Sequence, residues 1–142
     1  MAEPAMQMDE ALARLDAMRR QVELGSRNLE FAEAMLAETR RAHATLVALA
    51  SANEGDEILL PVGASTFVTA KVTSPSSVLL GVGSGYSAQR PTQEAAALLE
   101  QKQKDLESEC DRIGRDLMEL RHAADELQDA IESAMGQGQQ PS

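Results

Sequence analysis

A β-prone island between two long helix-forming arms constrains this chain more than any other feature. The island spans residues 57–91 and reads EILLPVGASTFVTAKVTSPSSVLLGVGSGYSAQRP, which is rich in β-branched residues, glycine and proline. Its glycines and prolines exclude a single helix running through the whole chain. Alanine, leucine, glutamate, glutamine and arginine dominate on either side, and this composition is typical of long helices and coiled coils.

Both arms carry apolar side chains at the spacing of a coiled coil. The first arm covers about residues 7–53, the second covers residues 92–135, and each has two rows that repeat every seven residues. The first arm's rows are Met8, Leu15, Val22, Leu29, Leu36, His43 and Ala50, and Ala11, Met18, Gly25, Ala32, Thr39 and Leu46. The second arm's rows are Leu99, Leu106, Ile113, Leu120, Leu127 and Ala134, and Ala96, Gln103, Cys110, Leu117, Ala124 and Ile131. Arms of nearly equal length predict a mainly α fold, a long antiparallel coiled-coil hairpin with the β segment between its helices.

Residues 54–91 predict two successive β-hairpins between the helices. Four short strands are expected at residues 57–60, 67–73, 77–82 and 86–89, separated by turns that contain glycine or proline. A segment this thin buries too little apolar surface to be stable alone. Its apolar side chains therefore need cover from the same segment of other subunits. The residues assigned to this oligomerisation surface are Ile58, Leu60, Val62, Phe67, Val68, Val72, Val78, Leu80 and Val82.

Charge and the N-terminal residues restrict the partners and the location. The formal net charge is −10, and the second arm with its tail, residues 92–142, contains twelve acidic against five basic residues. An acidic surface repels nucleic-acid phosphates and anionic lipid heads, so neither nucleic acid nor membrane is expected as a partner. The first ten residues, MAEPAMQMDE, lack the basic and apolar regions of a signal peptide, and no apolar run is long enough to span a bilayer. We therefore expect a cytoplasmic protein.

No set of residues indicates catalysis, a cofactor or a metal site, so the chain is predicted not to be an enzyme. Cys110, the only cysteine, is assigned to the seam as a small apolar residue. His43 lies on a heptad row, where a polar residue more often sets the register of the two helices than takes part in catalysis. His122 lies outside the rows. The glycine-rich loop at residues 81–85 lacks the spacing of a phosphate-binding loop, so a hairpin corner is the favoured interpretation.

Three segments of the island carry a resemblance to a known family. They are Ile58-Leu59-Leu60-Pro61-Val62-Gly63, Phe67-Val68-x-Ala70-Lys71-Val72 and Gly81-Val82-Gly83-x-Gly85-Tyr86. Together with the order helix, two hairpins, helix, they resemble the α subunit of archaeal prefoldin over essentially the whole chain. The β-class subunits of that family carry one hairpin, so the long insert here is similar to the α class.

The resemblance implies a hexamer of two α and four β prefoldin subunits, in which the hairpins assemble into an intersubunit β-barrel and the coiled coils project from it. It also implies an ATP-independent holdase that captures unfolded client polypeptides at the coiled-coil tips and delivers them to a group II chaperonin. The residues assigned to client binding at the tips are Met6, Met8, Leu12, Leu15, Leu127, Ile131 and Met135. Methionine adapts to many apolar segments, and several tips on one platform raise the effective concentration.

The sequence leaves two questions open. Leu15 and Leu127 are equally well explained as residues that close the last heptad of the coil. The hairpins also fit a structural protein that forms a homo-oligomer or filament, as in divergent prefoldin-like proteins, with the coils as spacers. The tail at residues 136–142, GQGQQPS, is predicted to be disordered.

Overall fold

The computed structural model describes the backbone of residues 3–139 and the side chains of residues 7–136. The elements in chain order are α1 (Glu3–Ala50), β1 (Glu57–Gly63), β2 (Thr66–Lys71), β3 (Ser77–Gly83), β4 (Tyr86–Pro91) and α2 (Thr92–Gln139). Each helix has 48 residues, and the strands form two antiparallel hairpins. The predicted fold class, two long helices with two β-hairpins between them, is confirmed.

The chain divides into two compact units. The first, which we call the coil unit, comprises Met1–Ala34 and Glu107–Ser142. The second, which we call the hairpin unit, comprises Met35–Leu106 and contains all four strands.

The helices of the coil unit run antiparallel and share an apolar seam. Leu15, near the start of α1, forms a buried cluster with Ala124 and Ile131, near the end of α2. Every residue of the predicted heptad rows in this unit is buried or half-buried except Ala134. The row residues of the hairpin unit follow the same pattern, with Ala50 as the exception. The heptad interpretation is thus confirmed for the described side chains.

Gly25 lies on the seam at a point of very close approach to α2. A Cβ built on Gly25 would lie 2.7 Å from Leu117 Cδ2, and Leu117 is buried, so its side chain has little room to move away. Gly114 is also inside a helix, but no atom lies within 4 Å of a Cβ built there. The two glycines therefore differ in packing although both lower helix propensity.

We expect Gly114→Ala to raise the free energy of unfolding by about 1 kcal/mol, because alanine removes the helix-propensity cost of glycine without a clash. Gly25→Ala gains the same propensity but overpacks the seam at a cost of about 1–3 kcal/mol, so the net effect is a loss. Urea denaturation followed by circular dichroism measures both variants, and each serves as the other's control. A Gly25→Ala chain as stable as Gly114→Ala would contradict the close packing.

The two hairpins of the hairpin unit are built on a repeated sequence. Leu-Leu-Pro-Val-Gly at residues 59–63 corresponds to Leu-Leu-Gly-Val-Gly at residues 79–83. In each hairpin the second leucine faces a small or β-branched partner, with Leu60 opposite Val68 and Leu80 opposite Ala88. In each, the register shifts just before the last glycine, at a bulge. The two hairpins form separate two-stranded sheets.

Each hairpin closes with a two-residue turn in the left-handed region. Ala64 and Ser65 have φ angles of 49° and 58°, and Ser84 and Gly85 have φ angles of 53° and 78°. Positive φ at both central residues is characteristic of the type I′ turn, whose twist matches that of the paired strands. The glycine-rich loop at residues 81–85 is therefore a hairpin corner, as predicted.

Hydrogen bonds to backbone carbonyl oxygens tie the hairpins to the chain at the helix ends. After α1, the Gly55 N–H donates to the Val72 carbonyl oxygen at 2.7 Å, and the Val72 N–H donates to the Asp56 carbonyl oxygen at 2.9 Å. At the start of α2, the buried Thr92 hydroxyl donates to the Pro75 carbonyl oxygen at 2.7 Å. These bonds fix where each hairpin leaves its helix.

The C-terminal boundary of α2 differs from the prediction. Helix α2 extends to Gln139, so residues 136–139 are helical, and the last three residues of the predicted tail, 140–142, lie outside the described backbone. A glycine in a helix costs only about 1 kcal/mol relative to alanine. The Gly136 and Gly138 positions therefore do not stop a long helix as a proline would.

Candidate functional site

The hairpin island presents an open apolar surface. Of the sixteen large hydrophobic side chains that are exposed among the described residues, nine lie in the island. They are Ile58, Leu59, Leu60, Val62, Phe67, Val68, Leu79, Val82 and Tyr86. A concentration of exposed apolar side chains on a short segment indicates a protein interaction site in a folded chain.

The most exposed leucines occupy equivalent positions in the two hairpins. Leu59 is 68% exposed and faces Thr69, and Leu79 is 77% exposed and faces Gln89. Because cross-strand partners share a sheet face, each leucine lies on a face that carries a polar neighbour. The sequence places Leu79 among the apolar side chains of the island that need cover but omits Leu59, since the apolar runs Ile-Leu-Leu and Val-Leu-Leu supply apolar side chains to both faces of each strand.

The residues assigned to oligomerisation are open to solvent or half-buried, with one exception. Val72 is only 7% exposed, so its side chain is covered within the chain itself. The place of Val72 on an intersubunit surface therefore stays a prediction. The backbone of Val72 exchanges hydrogen bonds with Gly55 and Asp56, which join the end of this segment to the chain that leaves α1.

The strands of the island also have unpaired edges. Each sheet contains two strands, β1 with β2 and β3 with β4, so within the described chain every strand has one edge without a strand partner. Backbone N–H and C=O groups along such an edge form ready hydrogen-bonding partners for a strand of another chain. The edges and the apolar faces occur on the same four strands.

An apolar groove accompanies the first hairpin. It has a volume of about 470 Å³. Its walls are the last turns of α1 and strand β1, and the lining residues are Ala44, Thr45, Ala48, Leu49, Ala52, Ile58, Leu59, Leu60 and Pro61. Most α1 side chains in this wall are small, so residues 58–61 of β1 are accessible from the groove.

The first turns of α1 and the last turns of α2 meet at one end of the coil unit, which we call the coil end. There Met8 and Leu127 pack against the cluster of Leu15, Ala124 and Ile131. The structure thus brings together four of the residues assigned to client binding. Leu15 and Ile131 are buried in the seam, so they close the heptad and become accessible only if the helices separate.

Two other assigned residues at the coil end are accessible as they stand. The side chains of Leu12 and Met135 are about half exposed. The side chain of Met6 lies outside the described residues. The accessible part of the predicted client site is therefore smaller than the full set of assigned residues.

The remaining polar candidates show no grouping that suggests chemistry. His122 is exposed and lies 3.0 Å from a Glu126 carboxylate oxygen one turn later, while His43 and Cys110 are half-buried on the seam. Among the residues that the structure describes, no three acidic, histidine or cysteine side chains form a group suited to a metal ion. Neither helix, over its described length, has an apolar stretch that would cross a membrane.

Two long helices that share a heptad seam and are joined by paired hairpins define a class of coiled-coil proteins with a β insert. The sequence profile described as "Prefoldin subunit" matches residues 18–137. The chain belongs to the prefoldin family of chaperone subunits.

Relatives with known names agree with this membership. The chain is 27% identical over 128 residues to prefoldin subunit alpha of Pyrococcus horikoshii, covering 89% of this chain and 86% of that protein. It is 26% identical over 131 residues to prefoldin subunit alpha of Methanosarcina mazei, covering 90% of this chain and 92% of that protein. The resemblance to α-class subunits is thereby confirmed.

Two solved structures are similar over nearly the full chain. The cryo-EM structure of filamentous PFD from Methanocaldococcus jannaschii is 28% identical, with a TM-score of 0.56 and coverage of 91% of this chain and 98% of that chain. The crystal structure of the prefoldin beta subunit from Thermococcus strain KS-1 has a TM-score of 0.62 at 19% identity and covers 95% of each chain. The second likeness concerns the fold alone.

Proposed function

We propose that this chain is the α-type subunit of a prefoldin holdase, which keeps unfolded polypeptides from aggregating without ATP. Its hairpins join those of β-class subunits in a complex of two α and four β subunits. The coil ends hold the client and pass it to a group II chaperonin. Family membership and the α-type names of its relatives support this proposal.

The observation that carries the proposal is the open hairpin island. Nine exposed apolar side chains and four unpaired strand edges occur within thirty-five residues, Glu57 to Pro91. Burying apolar surface contributes roughly 25 cal/mol per Å², so cover by partner hairpins yields a large stabilisation. Backbone pairing along the edges adds the directional contacts that fix the partner's register.

A mixing experiment tests assembly and activity together. The chain is combined with a β-class prefoldin subunit, and the mass of the product is measured by light scattering and native mass spectrometry. The complex is then added to a chemically denatured protein that is diluted into buffer without ATP. Slower aggregation supports the proposal, whereas normal aggregation in the presence of the assembled complex contradicts it.

Replacing Leu12 and Met135 by serine is expected to lower client capture by about threefold or more, because these accessible side chains supply apolar contact at the coil end. Assembly should not change, since neither residue is buried in the seam. Leu24→Ser is the control, because Leu24 is exposed on α1 away from the coil end. Capture is measured as the complex needed to halve aggregation. Equal loss in the control would show that the binding surface lies elsewhere.

A second candidate function has its own support. The similar protein from Methanocaldococcus jannaschii is described as filamentous, and this chain covers 98% of its length. The same exposed hairpins would then join copies of this chain into a homo-oligomer or filament with the coils as spacers. Light scattering and electron microscopy of the chain alone distinguish the two functions. Long polydisperse particles favour the filament, and a small oligomer that assembles only with a β-class subunit favours the holdase.

A further inference from the structure

One flank of the coil unit combines exposed apolar side chains with most of the negative charge of the chain. With Leu15 and Leu117 at heptad position a, the flank consists of positions b and e of both helices, and we call it the acidic flank. Its acidic members are Asp9, Asp16, Glu23, Glu30, Glu33, Glu107, Asp111, Asp125 and Glu132, and its basic members are Arg19 and Arg121.

Hydrogen bonds across the seam show that these positions of the two helices border the same flank. Arg19 in α1 donates to Gln128 Oε1 in α2, and Arg121 in α2 donates to Ser26 Oγ in α1 at 3.0 Å. All four residues are at position e. Both arginines therefore direct a guanidinium nitrogen to an uncharged acceptor across the seam, and nine acidic residues are distributed along the same flank.

The charge of the chain is concentrated in this part of the fold. The coil unit contains sixteen acidic and seven basic residues, a net charge of −9 out of the −10 of the whole chain. Nine acidic and two basic residues give the acidic flank −7. The opposite flank, positions c and g, has five acidic and two basic residues among its described side chains, which give −3. The negative charge of the coil unit is therefore distributed unevenly between its two flanks, because the heptad positions b and e carry more acidic residues than positions c and g.

Two of the flank's acids have arginine partners on the same helix. Asp16 pairs with Arg20, and its hydrogen bond and charge hold the pKa of Arg20 above the ordinary value. Glu23 Oε1 lies 3.5 Å from Arg27 Nη2. These exposed pairs contribute little energy each, and acidic residues outnumber basic ones on the flank by nine to two.

Exposed apolar side chains lie on the same flank. Leu12 and Met135 are at position e, and Met118 is at position b. Leu12 and Met135 belong to the coil end, and Met118 lies 17 residues before Met135 on α2, about 25 Å further along the helix. A shallow groove of about 200 Å³ also opens there, lined by Arg19, Val22, Arg121, Ala124 and Asp125. The flank thus offers apolar contact points embedded in negative potential.

We propose that the acidic flank is a docking surface for unfolded segments in which lysine or arginine alternates with apolar residues. This inference rests on the proposed holdase function and names the class of client that it favours. Apolar side chains of the client contact Leu12, Met118 and Met135, while its cationic side chains reach the surrounding carboxylates. The negative field raises the encounter rate of cationic segments and lowers that of acidic ones.

Two synthetic peptides test the charge preference in the assembled complex. Both have the same leucine-rich sequence, with lysine at the polar positions of one and glutamate at those of the other. Fluorescence anisotropy at low salt is expected to show about tenfold tighter binding of the lysine peptide. The difference should shrink to about twofold at 1 M salt, where the Debye length is about 3 Å.

A matched pair of variants locates the effect on the flank. Glu30→Gln, Asp111→Asn and Asp125→Asn together remove three charges from the acidic flank. Glu10→Gln, Glu109→Gln and Glu119→Gln remove three charges from the opposite flank. The first variant should lose about threefold in affinity for the lysine peptide, and the second should lose little, because screening limits the field to about 10 Å at 0.1 M salt.

The outcomes separate this inference from the proposed function. Equal binding of both peptides at low salt, or equal losses in the two variants, overturns the docking surface while the holdase function stands. If the assembled complex retains neither peptide and does not slow aggregation of any denatured protein, both fail. Preferential binding of the lysine peptide that is lost only in the first variant supports the inference.

Discussion

A chain with Leu59→Glu and Leu79→Glu is expected to remain a free subunit when it is mixed with a β-class partner. Both leucines are highly exposed in the single chain, so the substitutions leave its own fold intact. In a complex each would be covered, and a buried carboxylate without a partner costs several kcal/mol in addition to the lost apolar contact. Two such sites are expected to weaken assembly by at least about a thousandfold, which corresponds to about 4 kcal/mol.

The control for this variant carries the same charge change on the coil unit. Leu24→Glu with Met118→Glu replaces two exposed apolar side chains, one on each helix, outside the island. This variant should assemble like the unmodified chain. Size-exclusion chromatography with light scattering measures both, and circular dichroism checks that helix content is unchanged. Normal assembly of the Leu59 and Leu79 variant would show that the hairpin faces do not form the interface.

The helices were predictable because the information that specifies them is local. The seven-residue rows from Met8 onward and up to Ile131 identify both arms, and the structure buries these rows along the seam. Each hairpin was predictable from its glycines and β-branched residues. The strand ends were less predictable, since the turns contain only two residues and the strands continue up to them.

The surfaces were harder to predict because they depend on contacts between elements. Leu59 and Leu79 lie in runs where consecutive residues are apolar, so alternation does not show which face is open. Val72 has the same chemistry as the exposed valines, but it is 7% exposed, and its backbone is hydrogen-bonded to Gly55 and Asp56. Such bonds join residues far apart in the sequence and leave no periodic signal.

The coil end was predictable in part. Leu15 is on a heptad row and Leu12 is not, and the structure buries Leu15 in the seam and leaves Leu12 about half exposed. The acidic flank also requires the structure, since it arises when position e of α1 meets position e of α2. The hydrogen bond from Arg121 to Ser26, ninety-five residues apart, establishes that pairing.

Leu117→Ala is expected to lower the free energy of unfolding of the coil unit by about 2–5 kcal/mol, the usual cost of truncating a buried leucine. Leu117 is 5% exposed and contacts the position of Gly25, whereas the adjacent Met118 is 71% exposed. Met118→Ala should therefore change stability by no more than about 0.5 kcal/mol. Hydrogen exchange of amides in residues 10–34 and 107–130 measures the effect locally, and urea denaturation measures it for the whole chain.

Combining Leu117→Ala with Gly25→Ala tests whether Leu117 packs against the Gly25 position in the seam. Gly25→Ala destabilises the unmodified chain because its Cβ would meet Leu117 Cδ2 at 2.7 Å. In the Leu117→Ala chain that atom is gone, so the new methyl group fills part of the space and also improves helix propensity. Gly25→Ala should then become stabilising, with a coupling of about 0.5–3 kcal/mol between the two sites. Additive effects would show that α1 and α2 do not meet at this level, and the antiparallel register of the coil unit would be wrong.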